Sequence, residues 1–268
     1  MSYVENMFDL SGTVVALSGG GGTIATAMAK ALVGAGASVA IWSRRRETVD
    51  KAVAALDGGR RVVGIVADAG DAAAVTAAID ETTSRLAAPS VLINAVGGNR
   101  GRGSFLDIDV EVFEEVLRLN LVAGLVLPSK LVCRYWVEHE MNGAIINIAS
   151  MSSFRPLSGI WAYDAAKSAV VNLTQATAKE LAPMRIRVNG IAPGFFLAEQ
   201  NRALLVKNAQ TGELTERGQQ VIARTPFGRF GQVDELAGAT LFLASERASG
   251  FVTGATIPVD GGFLVDNL

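Results

Sequence analysis

The chain has 268 residues, of which half are hydrophobic and only 6% are aromatic, and it contains 29 glycines. This mixture is typical of a parallel β-sheet covered by helices. A formal net charge of −2 gives no reason to expect a nucleic acid or an anionic membrane as partner. Cys133 is the single cysteine, which excludes an internal disulfide and a thiolate zinc site. His139 is the single histidine, so Ser-His-Asp or Cys-His chemistry is disfavoured, and we expect no metal.

The sequence predicts neither a signal peptide nor a membrane-spanning segment. The first residues lack the basic-then-apolar order of a signal peptide, and the apolar runs are short and broken by Gly, Pro or charge. We therefore expect a cytoplasmic protein without a membrane span.

The first predicted elements are a strand, a glycine-rich loop and a helix. Residues 13–17 form a β-branched apolar run, residues 19–22 are all glycine, and a helical pattern follows over 27–32. This order aims free backbone N–H groups at a pyrophosphate, and glycine permits the close approach of the phosphates. Four glycines in a row are also compatible with a plain flexible loop.

The second predicted strand, residues 38–42, bears on cofactor choice. In a dinucleotide-binding fold an acidic residue after this strand would bind the adenosine ribose hydroxyls. This chain has Ser43 and then Arg44, Arg45 and Arg46. Because a guanidinium pairs well with a 2′-phosphate, the sequence favours NADP over NAD. The alternative is a solvated, basic start of a helix.

Strands and helices alternate through the rest of the chain. Helices are predicted over 47–56, 72–86, 109–140, 162–181, 199–207, 215–224 and 232–243, and strands over 61–67, 91–94, 144–149, 185–191 and 256–259. A bend is expected near Pro128. The pattern predicts one doubly wound α/β domain of Rossmann type over residues 1–268. It would have about seven parallel strands with helices on both faces, and a substrate lid at about 195–225.

One predicted helix, residues 162–181, carries a candidate proton-transfer pair. Tyr163 and Lys167 are four residues apart and share one helix face. A nearby ammonium stabilises a phenolate and lowers its pKa from about 10, which makes Tyr163 a candidate general acid or base. A packing tyrosine beside a solvated lysine is the alternative. Residues 19–22, Asn94, Ser150 and Pro193 all follow predicted strands, at the edge where open sheets bind ligands.

The chain resembles the short-chain dehydrogenase/reductase (SDR) family along nearly its whole length. The matches come in the family's order: the glycine loop, Asp68 after the third strand, Asn94-Ala95-Val96-Gly97, Asn120, Ser150, Tyr163-x-x-x-Lys167 and Pro193-Gly194. The serine stands thirteen residues before the tyrosine, which is the family's usual interval. Two fingerprint glycines are replaced by Thr23 and Ala25, and Ala198 stands where a cofactor-contacting threonine is common.

The resemblance implies a role for each catalytic residue. Tyr163 exchanges the proton with the substrate oxygen, and Ser150 hydrogen-bonds that oxygen. Lys167 lowers the pKa of the tyrosine and holds the nicotinamide ribose, and Asn120 positions a water in the proton relay.

The resemblance also implies a nicotinamide cofactor, with NADP(H) favoured and NAD(H) as the alternative. Its binding residues would be Ser18, Gly19, Gly21, Gly22, Thr23, Ile24, Ser43, Arg44, Asp68, Asn94, Ala95, Gly97, Tyr163, Lys167, Pro193 and Gly194. A small-molecule substrate is implied, and so is a homo-oligomer, a tetramer or a dimer, built on the long helices and the C-terminal strand.

A narrower likeness concerns the substrate. Residues 148–157, 192–202 and 214–218 resemble the SDR enzymes known as D-mannonate oxidoreductases or fructuronate reductases, which are close to gluconate dehydrogenases. Arg155, Gln200, Asn201 and Arg202 are therefore predicted to bind the carboxylate and hydroxyls of a sugar acid. The alternative is that these residues only decorate a surface lid.

Two other functions compete with a sugar-acid dehydrogenase. The first is a reductase of another ketone or of a 3-oxoacyl thioester, which the polar lid disfavours. The second is a dinucleotide-binding regulator without turnover, which the intact Ser150, Tyr163 and Lys167 disfavour.

Overall fold

The computed structural model describes residues 2–266, except the side chains of residues 199–201. The strands are β1 Val14–Ser18, β2 Ser38–Ser43, β3 Val62–Val66, β4 Val91–Asn94, β5 Gly143–Ile148, β6 Ile186–Pro193, β7 Val206–Asn208, β8 Glu213–Leu214 and β9 Thr256–Val259. Seven of them form one parallel sheet in the order β3-β2-β1-β4-β5-β6-β9, and β7 and β8 form a separate antiparallel hairpin. The predicted parallel, doubly wound sheet is confirmed.

Strand register places the carboxyl ends of neighbouring strands at one level. Ser18 at the end of β1 is level with Trp42 on β2 and with Asn94 on β4. Asn94 in turn is level with Asn147 on β5. Because parallel strands all end at the same edge, the loops after β1, β4, β5 and β6 converge there. The order of the strands reverses between β1 and β4, which places a crevice between their loops.

Helices cover both faces of the sheet. They are α1 Tyr3–Phe8, α2 Thr23–Gly34, α3 Arg46–Ala54, α4 Ala72–Arg85, α5 Val110–Leu117, α6 Leu127–Glu138, α7 Trp161–Leu181, α8 Glu199–Leu205, α9 Glu216–Ala223, α10 Ala237–Ala244 and α11 Glu246–Ser249. On one face Met28 and Leu32 of α2 pack with Leu243 of α10. On the other, Val75 of α4 packs with Trp136 of α6. Burial of each large apolar side chain stabilises the fold by about 2 kcal/mol.

The long helix predicted over 109–140 is divided into three parts. A π-helical segment, Arg118–Val126, separates α5 from α6, and Pro128 occupies the first turn of α6. Because Pro128 has no N–H, it cannot continue the hydrogen-bond ladder of the preceding turn, and the change from the π-helical segment to α6 lies next to it. The stretch Val110–Glu138 contains an 18-residue window with a mean hydropathy of 1.6, which is apolar enough to cross a membrane, but half of this window is buried inside the protein. Burial of this kind is typical of a core helix.

The predicted lid region differs in detail from the expected pair of helices. Helix α8 ends at Leu205, and the β7–β8 hairpin separates it from α9. The Lys207 ammonium pairs with the Glu213 carboxylate across the hairpin at 2.6 Å. The predicted helix over 232–243 begins with a 3₁₀ turn, Val233–Leu236, before α10. Short polar segments of this kind carry weak periodicity, so their boundaries are poorly defined in the sequence.

Candidate active site

A cavity of about 710 Å³ lies at the carboxyl edge of the sheet. It gathers residues from the loops after β1, β2, β3, β4, β5 and β6 together with the start of α7. The predicted site residues that line it are Ser18, Gly19, Gly22, Thr23, Ile24, Ser43, Arg44, Asp68, Ala95, Gly97, Ser150, Tyr163, Lys167, Pro193 and Gly194. Ala25 and Ala198, the two alanines at family positions, line it as well.

The glycine loop leads into the first turn of α2, whose residues Thr23, Ile24 and Ala25 border this cavity. Gly19 has a φ of +77°, and a Cβ added to it would lie 2.6 Å from the Val96 nitrogen, so only glycine fits. Gly22 precedes α2 and offers no side chain to cap the first N–H groups of that helix. The Ser18 hydroxyl is buried and has no hydrogen-bond partner among the described residues. These free donors and the positive end of the α2 dipole fit the pyrophosphate of a dinucleotide.

Only one of the three consecutive arginines faces the cavity. Arg44 is exposed at its rim, beside half-buried Ser43. Arg45 is the residue that precedes α3, and the Arg46 guanidinium lies 3.8 Å from the Asp50 carboxylate. Arg44 is therefore the one cation of this group that can meet a phosphate on the adenosine ribose.

Ser150, Tyr163 and Lys167 come together at the junction of β5 and α7. Ser150 follows β5 and accepts a hydrogen bond from the Ser152 N–H at 3.1 Å. Lys167 is buried, and its ammonium donates to the Ile148 carbonyl at 2.7 Å. The same ammonium nitrogen lies 5.7 Å from the centroid of the Tyr163 ring. All three residues border the cavity, and the side chains of Tyr163 and Ser150 are hydrogen-bonded to each other.

The electrostatics of this group differ from the sequence-based expectation. Burial raises the pKa of Tyr163 above its ordinary value, a hydrogen bond with Ser150 lowers it in part, and the Asp164 carboxylate raises it further. Burial also lowers the pKa of Lys167 to about 8. The net shift of the pKa of Tyr163 is therefore upward, opposite to the direction expected from the spacing of Tyr163 and Lys167, because burial is the largest effect. The influence of Lys167 on the pKa of Tyr163 stays a prediction.

Asn120 lies in the π-helical segment and holds the loop after β4. Its amide nitrogen donates to the carbonyls of Gly98 and Val116, at 2.7 and 2.8 Å, and its amide oxygen accepts from the Gly98 N–H at 3.1 Å. A Cβ on Gly97 would meet the Asn120 oxygen at 2.6 Å and the Lys167 ammonium at 3.2 Å. Asn120 is therefore separated from Lys167 only by the backbone of a glycine. Its role in positioning a water stays a prediction.

Two residues predicted to bind cofactor lie outside the cavity lining. Asn94 is buried in the sheet, where its amide nitrogen donates to the Ser129 hydroxyl at 2.8 Å and to the side-chain Oδ1 of Asn147 at 2.9 Å. It therefore cross-links the strands beneath the cavity. Gly21 packs toward α3, because a Cβ added to it would overlap the Thr48 side chain.

The predicted substrate residues are not brought together at the cavity. Arg155 turns toward the C-terminal segment, donates to the Phe263 carbonyl at 3.0 Å and does not border the cavity, so its role as a substrate ligand stays a prediction. Arg202 is exposed on α8 and does not border the cavity. The side chains of Gln200 and Asn201 lie outside the described residues.

Several cavity residues were not anticipated from the sequence as site residues. Arg100 and Arg118 bring cations to the wall formed by α5 and the loop after β4, and Arg100 pairs with Glu115 at 2.9 Å. Phe195 and Phe196 bring apolar surface from the loop after β6. The signal was weak, because the arginines follow no spacing rule and the phenylalanines only continue the Pro193-Gly194 motif. Among residues 2–266, excluding the side chains of 199–201, no cluster of three metal-binding side chains occurs.

Fold and site together are those of a dinucleotide-dependent oxidoreductase, with a serine, a tyrosine and a lysine at one cavity. A family model described as enoyl-(acyl carrier protein) reductase matches residues 20–264. The chain belongs to the short-chain dehydrogenase/reductase family.

Relatives in this family match the chain from end to end. The uncharacterized oxidoreductase UxuB of Bacillus subtilis is 37% identical over 96% of both chains. A solved structure from Haemophilus influenzae, described as a D-mannonate oxidoreductase with bound NAD, has a TM-score of 0.90 and 31% identity, covering 99% of both chains. A gluconate 5-dehydrogenase from Burkholderia cenocepacia, in complex with NADP and tartrate, has a TM-score of 0.87 and 36% identity. The match covers 99% of this chain and 100% of the gluconate 5-dehydrogenase chain.

The buried lysine predicts a pH-dependent stability. The ordinary pKa of 10.5 applies to Lys167 in the unfolded chain, whereas burial lowers it to about 8 in the native protein. Between these values the unfolded chain holds a proton that the native chain lacks, so the free energy of unfolding rises with pH across this window. In urea titrations wild type should gain stability relative to Lys167→Met from pH 8 to 10.5. Lys179→Met, at an exposed position of the same helix, is the control, and an equal pH dependence of both variants would refute the prediction.

Proposed function

We propose that this protein is an NADP(H)-preferring dehydrogenase that interconverts a carbonyl and a secondary alcohol on a sugar acid. The proposal is supported most by one cavity. Ser150, Tyr163 and Lys167 line it together with the glycine loop after β1. Oxidoreductases of this family act on alcohols with a nicotinamide cofactor.

The residues present fit a nicotinamide dinucleotide. The donors at the start of α2 and the Ser18 hydroxyl would hold its pyrophosphate, and Arg44 and Ser43 would meet the adenosine ribose. Lys167 would hold the nicotinamide ribose. When bound, the nicotinamide supplies or accepts the hydride.

Tyr163 and Ser150 act on the substrate oxygen. Because burial holds the pKa of Tyr163 above its ordinary value, the phenol is protonated at neutral pH and is ready to donate to a developing alkoxide. Ser150 can donate a second hydrogen bond to the same oxygen, which stabilises the negative charge as it forms. In the oxidative direction Tyr163 must be a phenolate to accept the proton of the alcohol, while Ser150 keeps its hydrogen bond to the same oxygen. Removal of one positioned donor of this kind costs about a hundredfold or more in kcat.

The choice of a sugar acid rests on similarity and on cavity charge. The D-mannonate oxidoreductase and the gluconate 5-dehydrogenase are both named after sugar acids. The structure of the latter contains tartrate, a small hydroxy acid. Arg118 brings to this cavity a cation that a substrate carboxylate can use, whereas Arg100 already pairs with Glu115. A neutral ketone would make no use of the charge of Arg118.

A substrate screen tests the proposal. The purified protein is assayed with NADPH and NADP against uronates, aldonates, ketoses and 3-oxoacyl thioesters. We expect the highest kcat/KM for a sugar acid or its keto form. A higher kcat/KM for a 3-oxoacyl thioester or a neutral ketone would replace the substrate class, and cofactor binding without turnover of any substrate would favour a regulator.

Tyr163→Phe separates proton transfer from binding. Loss of the phenolic hydroxyl should lower kcat by at least about a hundredfold, which is the usual contribution of a positioned acid or base. The dissociation constant of NADPH, measured by fluorescence, should stay within about twofold. Tyr135→Phe, on α6 and stacked against His139 away from the cavity, is the matched control. Wild-type turnover in Tyr163→Phe would overturn the mechanism.

Cofactor preference depends on the rim beside β2. The double variant Ser43→Asp with Arg44→Ala replaces the cation with an acid that can accept from ribose hydroxyls. The ratio of kcat/KM for NADP to that for NAD should fall by about tenfold or more, because a charge-assisted bond contributes about 1.5–3 kcal/mol. Arg46→Ala, which lies outside the cavity lining, should leave the ratio unchanged. If the ratio of kcat/KM for NADP to that for NAD is unchanged in the double variant, the argument for NADP fails.

Domain extent, lid, assembly and compartment complete the proposal. Residues 1–268 are taken as one domain, and residues 195–225 as a lid, because Phe195, Phe196 and Ala198 already border the cavity. A homodimer or homotetramer is supported by the exposed apolar side chains of Val110, Val122 and Val126. Light scattering would detect it, and a monomeric mass would rule it out. The cytoplasmic location stays a prediction from the sequence.

A further inference from the structure

The segment that follows β9 returns to the active-site cavity. The Asp260 carboxylate accepts hydrogen bonds from the N–H groups of Gly262 and Leu264, both at 2.9 Å, which folds the segment into a tight turn. This turn presses on the loop after β6, because a Cβ added to Gly194 would lie 2.6 Å from the Asp260 Cα. The backbone of Gly194 borders the cavity, so the C-terminal turn supports the cavity wall from behind.

An aromatic pair carries this contact into the cavity. Phe263 is buried, and its ring meets the Phe195 ring edge to face, with 5.3 Å between centroids and an angle of 68°. Phe195 borders the same cavity as Ser150 and Tyr163. Phe195 therefore places apolar surface on the boundary of the space that a substrate must enter, and Phe263 packs against it from outside the cavity lining. These two phenylalanines are called the aromatic wall below. A shift of Phe263 must move Phe195, because packed rings have no free space between them.

A single side chain joins the aromatic wall to the catalytic serine. The Arg155 guanidinium donates to the Phe263 carbonyl at 3.0 Å, lies 3.9 Å from the Asp266 carboxylate, and has its Cζ 5.8 Å from the centroid of the Phe263 ring. Its own backbone N–H donates to the Met151 carbonyl at 3.1 Å, in the turn that begins at Ser150. The planar, multidentate head of arginine suits such simultaneous contacts.

We propose that Arg155 is a positioning residue that fixes the aromatic wall relative to Ser150 and thereby sets how the substrate is seated. The proposal rests on the proposed reaction at Ser150 and Tyr163 and extends it to the opposite wall of the same site. Rings can pack against the C–H face of a polyol chain while its carboxylate and hydroxyls meet polar groups elsewhere. A displacement of about 1 Å in such a wall can cost up to a hundredfold in turnover of substrate.

The alternative is that Arg155 only stabilises the fold. Its side chain is 37% exposed and that of Asp266 is 27% exposed. Ion pairs at such accessible positions contribute little to stability, so the contacts of Arg155 have more value as a geometric link than as a source of folding energy. A purely stabilising role would change the unfolding temperature and leave KM unaltered.

Kinetic assays of the full-length enzyme distinguish the two roles. Arg155→Met removes the contacts, Arg155→Lys keeps the charge, and Asp266→Asn removes only the ion pair. For Arg155→Met, KM for the carbonyl substrate should rise by about tenfold, with NADPH affinity unchanged within about twofold and partial rescue in Arg155→Lys. Arg134→Met, which loses an exposed ion pair with Glu138 on α6, is the matched control and should behave as wild type.

Coupling between Arg155 and the aromatic wall gives a second readout. If both act through one contact, the effects of Arg155→Met and Phe263→Leu on KM should be less than additive in the double variant. Fully additive effects, or an unchanged KM in Arg155→Met, would overturn the proposal. So would a rise in KM matched by an equal loss of NADPH affinity.

A structural comparison keeps this test independent of substrate identity. In crystal structures of wild type and Arg155→Met, the Phe195 and Phe263 rings should be displaced or rotated in the variant only. Unmoved rings would refute the positioning role even if no substrate had been found. If the best substrate is not a sugar acid, the proposed substrate class fails, whereas the assays of Arg155 are run on whichever carbonyl compound is turned over.

Discussion

The hydrogen bond from the Lys167 ammonium to the Ile148 carbonyl is the interaction on which the site depends most. It joins the first turns of α7 to the end of β5, and so sets the position of Tyr163 relative to Ser150. A second bond in the same place, from the Ser153 hydroxyl to the Lys167 carbonyl at 2.7 Å, ties the turn after Ser150 to the same helix. An acid or base must lie within about 3 Å of the proton it transfers, so this junction decides whether the chemistry is feasible.

Burial of this junction has an electrostatic consequence. The same desolvation that raises the pKa of Tyr163 lowers that of Lys167 to about 8, so the neutral forms of both groups are favoured. A protonated phenol suits reduction, in which the substrate oxygen gains a proton. Reduction uses the protonated phenol and oxidation uses the phenolate, so the pKa of Tyr163 bears on both directions of the reaction.

Much of the catalytic centre could be predicted from the sequence because its signals are local. Tyr163 and Lys167 share a helix face at a spacing of four, and the glycine loop lies between a strand and a helix. Strand order places Ser150 at the same edge. The fold followed from the alternation of apolar runs, and it was confirmed down to the parallel arrangement of seven strands.

What could not be predicted depends on partners far away in the chain. Arg155 bonds to a residue 108 positions later, and nothing in its neighbourhood distinguishes that contact from a substrate ligand. Asn94 was assigned to the cofactor, whereas its partner Asn147 is 53 positions away in the sheet. The sign of the pKa shift of Tyr163 was also missed, because spacing reveals the nearest charge and says nothing about solvation.

The central claim is that hydride reaches the carbonyl carbon of a sugar acid beside Ser150 and Tyr163. Its most direct test is mass spectrometry of the product formed from a keto sugar acid and NADPH that carries deuterium at the transferable position. The account predicts a single deuterium on the new carbinol carbon. A reduced product without deuterium, or no reduction of any keto sugar acid while another carbonyl compound is labelled, would contradict it.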